Sequence, residues 1–236
     1  MPNLIFLPNS PAVLSELSPS DESSVELKDR AMALVRSFCL NQQPVVIHYA
    51  EHKRDYTALT GSLKAWGAQV TVATGNFLPQ LLARYILESA GWDPAMVRAR
   101  GYSETPDLCT KDALAADALH VMVLDGVAAL TTKAPKYVLP QAEAGALWCR
   151  ETLGGELPEQ AWTRAQLEQA GVDNAVLWPA LWQLRHQTSQ LAMRSFFEDT
   201  THGVARLLGA WEINNELGSA AAVVVPTDTP KDKERA

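Results

Sequence analysis

Residues 119–124 read Leu-His-Val-Met-Val-Leu, and Asp125-Gly126 follows at once. A nearly continuous apolar run this short, closed by a turn signal, is the pattern of a strand covered on both faces. It predicts a central strand, and a central strand needs neighbours in the plane and helices above and below it.

Both are found by reading outward. Toward the N-terminus, Asn3 to Leu7 is an apolar run stopped by Pro8, and Pro44-Val-Val-Ile is a second. Gln69-Val-Thr-Val-Ala, bounded by Gly67 and Gly75, is expected to be a third strand. Between these runs, Ser18-Pro-Ser-Asp-Glu opens a helix whose apolar face carries Val25, Leu27, Met32, Val35 and Phe38. Asn76 to Ala90 reads as another helix, with Pro79 in its first turn and Gly91 beyond its end. Toward the C-terminus, a loop broken by Pro135 and Pro140 leads to three predicted helices, 141–153, 159–170 and 174–191. Strands at Met193 to Phe197 and Val204 to Ile213 close the domain, Gly209 marking a possible bulge in the second. The expected fold is α/β: a single domain over 1–214, with a central mixed β-sheet flanked by helices and a helical block in the second half. Residues 215–236 have the composition of a disordered tail.

Bulk properties narrow the function. The 236 residues are 47% apolar and carry a net charge of −7, which argues against nucleic acid and against an anionic membrane surface. No apolar run is long enough to span a bilayer, and the first residues lack the basic start of a signal peptide. Cys39, Cys109 and Cys149 form no C-x-x-C pair, and as free thiols they point to the cytoplasm. The acidic surface leaves homo-oligomers open.

In an α/β sheet, ligands sit at the carboxyl ends of strands. Four segments are expected there: Asn9-Ser10, His48 to His52, Asp125-Gly126 and Glu198-Asp199. The second contains His48-Tyr49-Ala50-Glu51-His52, the letters of an H-x-x-E-H zinc helix. That motif needs both histidines on one helical face, yet Pro-Val-Val-Ile leads straight into His48 and favours a strand. The reading adopted is a strand-end histidine beside a charged turn, not a zinc site. His120 is expected to be a hydrogen-bonded core imidazole and His186 to lie on a solvated helix face, while His202, ahead of Gly203, is a further cleft candidate. Thr60-Gly61-Ser62 and Ala73-Thr74-Gly75-Asn76 are weak candidates for holding an anion. No G-x-S-x-G, Walker or G-x-G-x-x-G motif occurs.

Five segments in order, FLPNSPAVLSEL, RDYTALTGSLKAWGAQVTVATG, LPQLLARYILESAGW, VMVLDGVAALTTKAPKYVLPQAE and HGVARLLGAW, resemble the class III extradiol ring-cleavage dioxygenases. The likeness is to the catalytic-subunit, LigB-like type and its small actinobacterial branch. The resemblance implies one α/β domain with Fe(II) held at the strand ends by two histidines and a glutamate, and a further histidine as base. On those positions this chain carries Asn9 for the first histidine, His48 for the second, Ala128 for the base, and Glu198 or Asp199 for the glutamate. An amide is a poor Fe(II) ligand and alanine moves no proton. The expectation is therefore a diverged, non-catalytic homologue without a cofactor, binding a small molecule or a protein partner in the cleft of Asn9, His48, His52, Asp125, Glu198 and Asp199. Two alternatives stand beside it. One is an active Fe(II) dioxygenase on His48, Glu198 and a third group such as His52 or His202. The other is a hydrolase with Asp125 as base, for which Asp125 and His202 are the catalytic candidates.

Overall fold

The computed structural model describes residues 3–17, 19–38, 43–110, 113–115, 117–188 and 191–213. The predicted tail and Cys39 lie outside them. Six strands form one sheet in the order β3-β2-β4-β1-β6-β5. They are β1 (Asn3–Pro8), β2 (Val45–Ala50), β3 (Val97–Tyr102), β4 (Leu119–Leu124), β5 (Leu191–Asp199) and β6 (Arg206–Ile213). The first four in that order are parallel, and β6 and β5 join antiparallel at the β1 edge.

Every residue of β4 is buried, as its composition requires. Its side chains alternate between two cores. Leu119, Val121 and Val123 pack with α1 (Glu22–Arg36) and α2 (Leu78–Ser89) on one face. Met122 and Leu124 pack with α3 (Ala142–Gly154), α4 (Arg164–Gln169) and α5 (Trp178–Gln187) on the other. Leu81, Leu82 and Ile86 form the buried stripe of α2, and Gly91 beyond its end has φ +99°, a left-handed helix stop. The helical block expected in the second half is thus one whole layer of the sandwich.

Two strand expectations need correction. Gln69 to Ala73 is not a strand of the sheet. Its only bridge is Ser62 with Thr71, because it folds back on the Gly61 turn: Val72 N donates to Gly61 O, and Gly61 N to Gly75 O. The fourth parallel strand is instead Val-Arg-Ala-Arg-Gly-Tyr at 97–102. As an edge strand it buries Val97 fully and leaves Arg98 and Arg100 exposed, so it carries too little apolar sequence to announce itself.

Candidate functional site

Parallel pairing of β1 and β4 sets Pro8 opposite Leu124, so the chains leave the sheet side by side at Asn9 and Asp125. Asn9 N donates to Leu124 O (2.8 Å), extending the ladder one step. The Asn9 amide Nδ2 then reaches both carboxyl oxygens of Asp125, at 3.1 and 3.2 Å. Behind them, Trp178 Nε1 of α5 donates to Asp125 O (2.8 Å). Gly126 permits the turn: an added Cβ would fall 1.8 Å from Ala205 O, at the entrance to β6.

A second pair of the same kind lies close by. Asn174 Nδ2 donates to Asp55 Oδ2 (3.4 Å), both side chains being buried. In each pair the asparagine Oδ1 is buried without a partner. Above them, Asp173 accepts from Arg54 Nη1 (3.1 Å) and forms a close ion pair with Lys136. Burial pushes the Asp125 carboxyl up to about 7; nearby Asp55 and Asp173 add to the rise, while the Asn9 bond and Arg54 partly offset it. Asp55 is raised by burial as well. Burial would also raise Asp173, but the hydrogen bonds from Lys136 and Arg54 outweigh it and hold that carboxyl low. One layer of acids thus sits under a rim of cations, with a carboxyl at its centre able to take or give a proton near neutral pH.

His48 is not at this mouth. β2 continues to Ala50, and Glu51 N still donates to Tyr102 O, so the histidine is two residues short of the strand end and fully buried. Both its nitrogens are engaged: Nδ1 with Tyr102 Oη (2.8 Å) and Nε2 with His120 Nδ1 (2.9 Å). His120 Nε2 meets Ala115 O at 3.1 Å. A carbonyl only accepts, so the whole chain has one direction. His120 donates from Nε2 and accepts at Nδ1, His48 donates from Nε2 and accepts at Nδ1, and Tyr102 donates its hydroxyl proton to His48. Burial raises the Tyr102 phenol, and nearby Arg100 partly offsets the rise. Burial first, then His120 and Arg100, push His48 down to about 3, and burial lowers His120 too. Both rings are neutral structural groups, as expected for His120 and against the expectation for His48.

The remaining candidates are scattered. His52 is exposed and caps the turn Lys53–Asp55, accepting from Arg54 N at Nδ1 (3.3 Å). Glu198 is paired with Arg150 (2.6 Å) and Asp199 with Arg206 (2.7 Å). Between β2 and β5 lie β4, β1 and β6, so His48 and the Glu198 strand are separated by roughly 19 Å at about 4.8 Å per strand. His202 is exposed, strained at φ +62°, and lies 3.7 Å from Asp21. Ala128 is a backbone brace, its N donating to Gly171 O and its O accepting from Lys136 N. The Gly61 and Gly75 turns are tied to each other and to Asn76. His186 is exposed and stacked on Trp182.

Fe(II) does not fit this donor set. His48 has no lone pair free, Asn9 turns its amide nitrogen to a carboxylate, and Glu198 is four strands away. Among the described residues no three His, Cys, Asp or Glu side chains gather as a metal-binding group. Asp55, Asp173, Asn174, Arg54 and Lys136 are not singled out by sequence; the RDY, VDN and APKY runs that carry them form no motif. A comparison with models of known protein families gave no match, and neither did one with curated proteins.

Proposed function

We propose that this chain is a diverged, non-catalytic relative of the class III extradiol dioxygenases whose strand-end cleft at Asn9 and Asp125 binds a small polar molecule. One observation carries the reading: where a relative would present its first histidine to iron, Asn9 donates to both oxygens of Asp125. On the turn that also carries Arg54 and Asp55, a groove of about 840 Å³ lined by His52, Lys53, Tyr56 and Phe77 offers room for a ligand body. Free Cys109 and Cys149 support a reducing, cytoplasmic setting. Among the described residues no helix is long and apolar enough to cross a membrane.

The test is an Fe(II) titration with oxygen consumption on a panel of catechols, for wild type and Asn9→His. Neither protein is expected to gain tight iron or to consume oxygen, since His48 is bonded at both nitrogens. Stoichiometric iron in Asn9→His, or turnover of any catechol by wild type, would overturn the proposal. In the same samples, a mixture of small polar metabolites should move the Asp125 titration followed by carboxyl NMR.

A second reading rests on Asp125, whose carboxyl is pushed up to about 7 inside the cleft. A general base at that value suits hydrolysis near neutral pH. It predicts ester or amide turnover with an inflection near pH 7 that Asp125→Asn removes.

A further inference from the structure

The rim over Asp125 has a feature that stability does not explain. Arg54, from the turn after β2, and Lys136, from the loop after β4, both aim at Asp173 in the connection between α4 and α5. All three side chains are reachable from solvent, Arg54 at 47%, Lys136 at 32% and Asp173 at 29% exposed. Ion pairs this open add little to folding. The loops do not need them either, because backbone bonds already fix each one. Asp55 N donates to His52 O, Lys136 N to Ala128 O, and Ala128 N to Gly171 O. His52 further pins Arg54 N. Two cations with fixed backbones therefore converge on one carboxylate that nothing else requires.

We propose that Asp173 is an internal stand-in: it fills a carboxylate subsite built by Arg54 and Lys136, and the carboxylate of a small ligand displaces it. The inference rests on the binding role proposed above and names the ligand class for that cleft. Asp173 stays tethered beside the subsite, so the ligand adds a negative charge, and Arg54 and Lys136 set two positive charges against the one of Asp173. Arg54 still has donors to give, since Nη1 meets Asp173 while Nε lies 3.7 Å from Asp55. The Oδ1 atoms of Asn9 and Asn174 are buried, lack partners and accept only, so a ligand that reaches past Asp173 gains by carrying a donor. A small hydroxy- or amino-carboxylate meets both requirements.

The experiment measures lactate and alanine binding by calorimetry on the full chain, with methyl lactate as the uncharged control. If Asp173 holds the subsite nine-tenths of the time, Asp173→Asn tightens carboxylate binding about tenfold. Arg54→Gln and Lys136→Gln abolish it, and methyl lactate binds none of the proteins. Asp173→Ser repeats the test should the asparagine variant be unstable. Affinity unchanged or weakened in both Asp173 variants overturns the inference, making Asp173 a brace rather than a competitor. The broader binding role fails separately: it is lost if the Asp125 titration responds to no metabolite in wild type, whatever the Asp173 variants do.

Discussion

Two of the buried polar networks among the described residues differ in completeness. The chain Tyr102–His48–His120–Ala115 lies within the sheet, and each ring nitrogen in it has one partner and one role. The Asn9–Asp125 and Asn174–Asp55 pairs lie past the strand ends, and each leaves an amide oxygen unanswered. A satisfied network rigidifies, whereas an incomplete one costs stability and keeps its groups available. By that contrast the histidines, which drew the eye in the sequence, are architecture, and the aspartates belong to the proposed binding cleft.

Removing a link from the complete network should produce the largest effect. His120→Ala deletes a buried ring and strands a proton on His48, an expected loss of about 3–5 kcal/mol in denaturant titration. A loss under 1 kcal/mol would mean the chain is not the pin described. Acid should attack the same network more gently. The folded His48 value of about 3 is below the unfolded 6.5, so the unfolded state takes up the proton first. The His48 contribution is therefore full above pH 6.5 and is lost as pH falls toward 3, with about 2 kcal/mol of it gone by pH 5. The histidine component of the slope should vanish in a variant lacking both histidines.

Asp125 has the opposite sign. Its folded value of about 7 exceeds the unfolded 3.8, so its contribution is present below 3.8 and is lost as pH rises through 7. Asp125→Asn removes that cost, so it should stabilise the fold at pH 7.5 by about 1–2 kcal/mol. Destabilisation on thermal melting would place Asp125 among the structural groups. The smallest effect is expected at the rim: Arg54→Gln should change stability by under about 0.5 kcal/mol. A larger drop would make the ion cluster a clasp.

These differences explain what the sequence could disclose. β4 was legible because a strand covered on both faces must be apolar throughout, and the core alternation of Leu119 to Leu124 followed from it. β3 was not, since Arg98 and Arg100 on an edge strand look like a loop, and the β-branched Gln69–Ala73 run looked more like a strand than the real one. Asn9 and Asp125 were each legible as strand-end residues. Their bond spans 116 residues, and the Asn174–Asp55 bond spans 119, so which acid meets which amide depends on strand order and not on any local spacing. His48 was misplaced by two residues of strand length, enough to move it from the mouth to the interior.

The seam at β1 has a consequence for how the chain is made. Parallel β4 lies on one side of β1, but the other side pairs with β6, Asn3 opposite Glu212. Within this domain β1 therefore waits for β6, with one edge bare while the residues between them are translated. Pairing across such a span is slow, and the exposed edge of Leu4 to Leu7 invites other chains meanwhile. Synthesis of this protein should accordingly be sensitive to whatever shields a nascent β1, and truncation just before Arg206 should yield aggregate rather than a smaller fold.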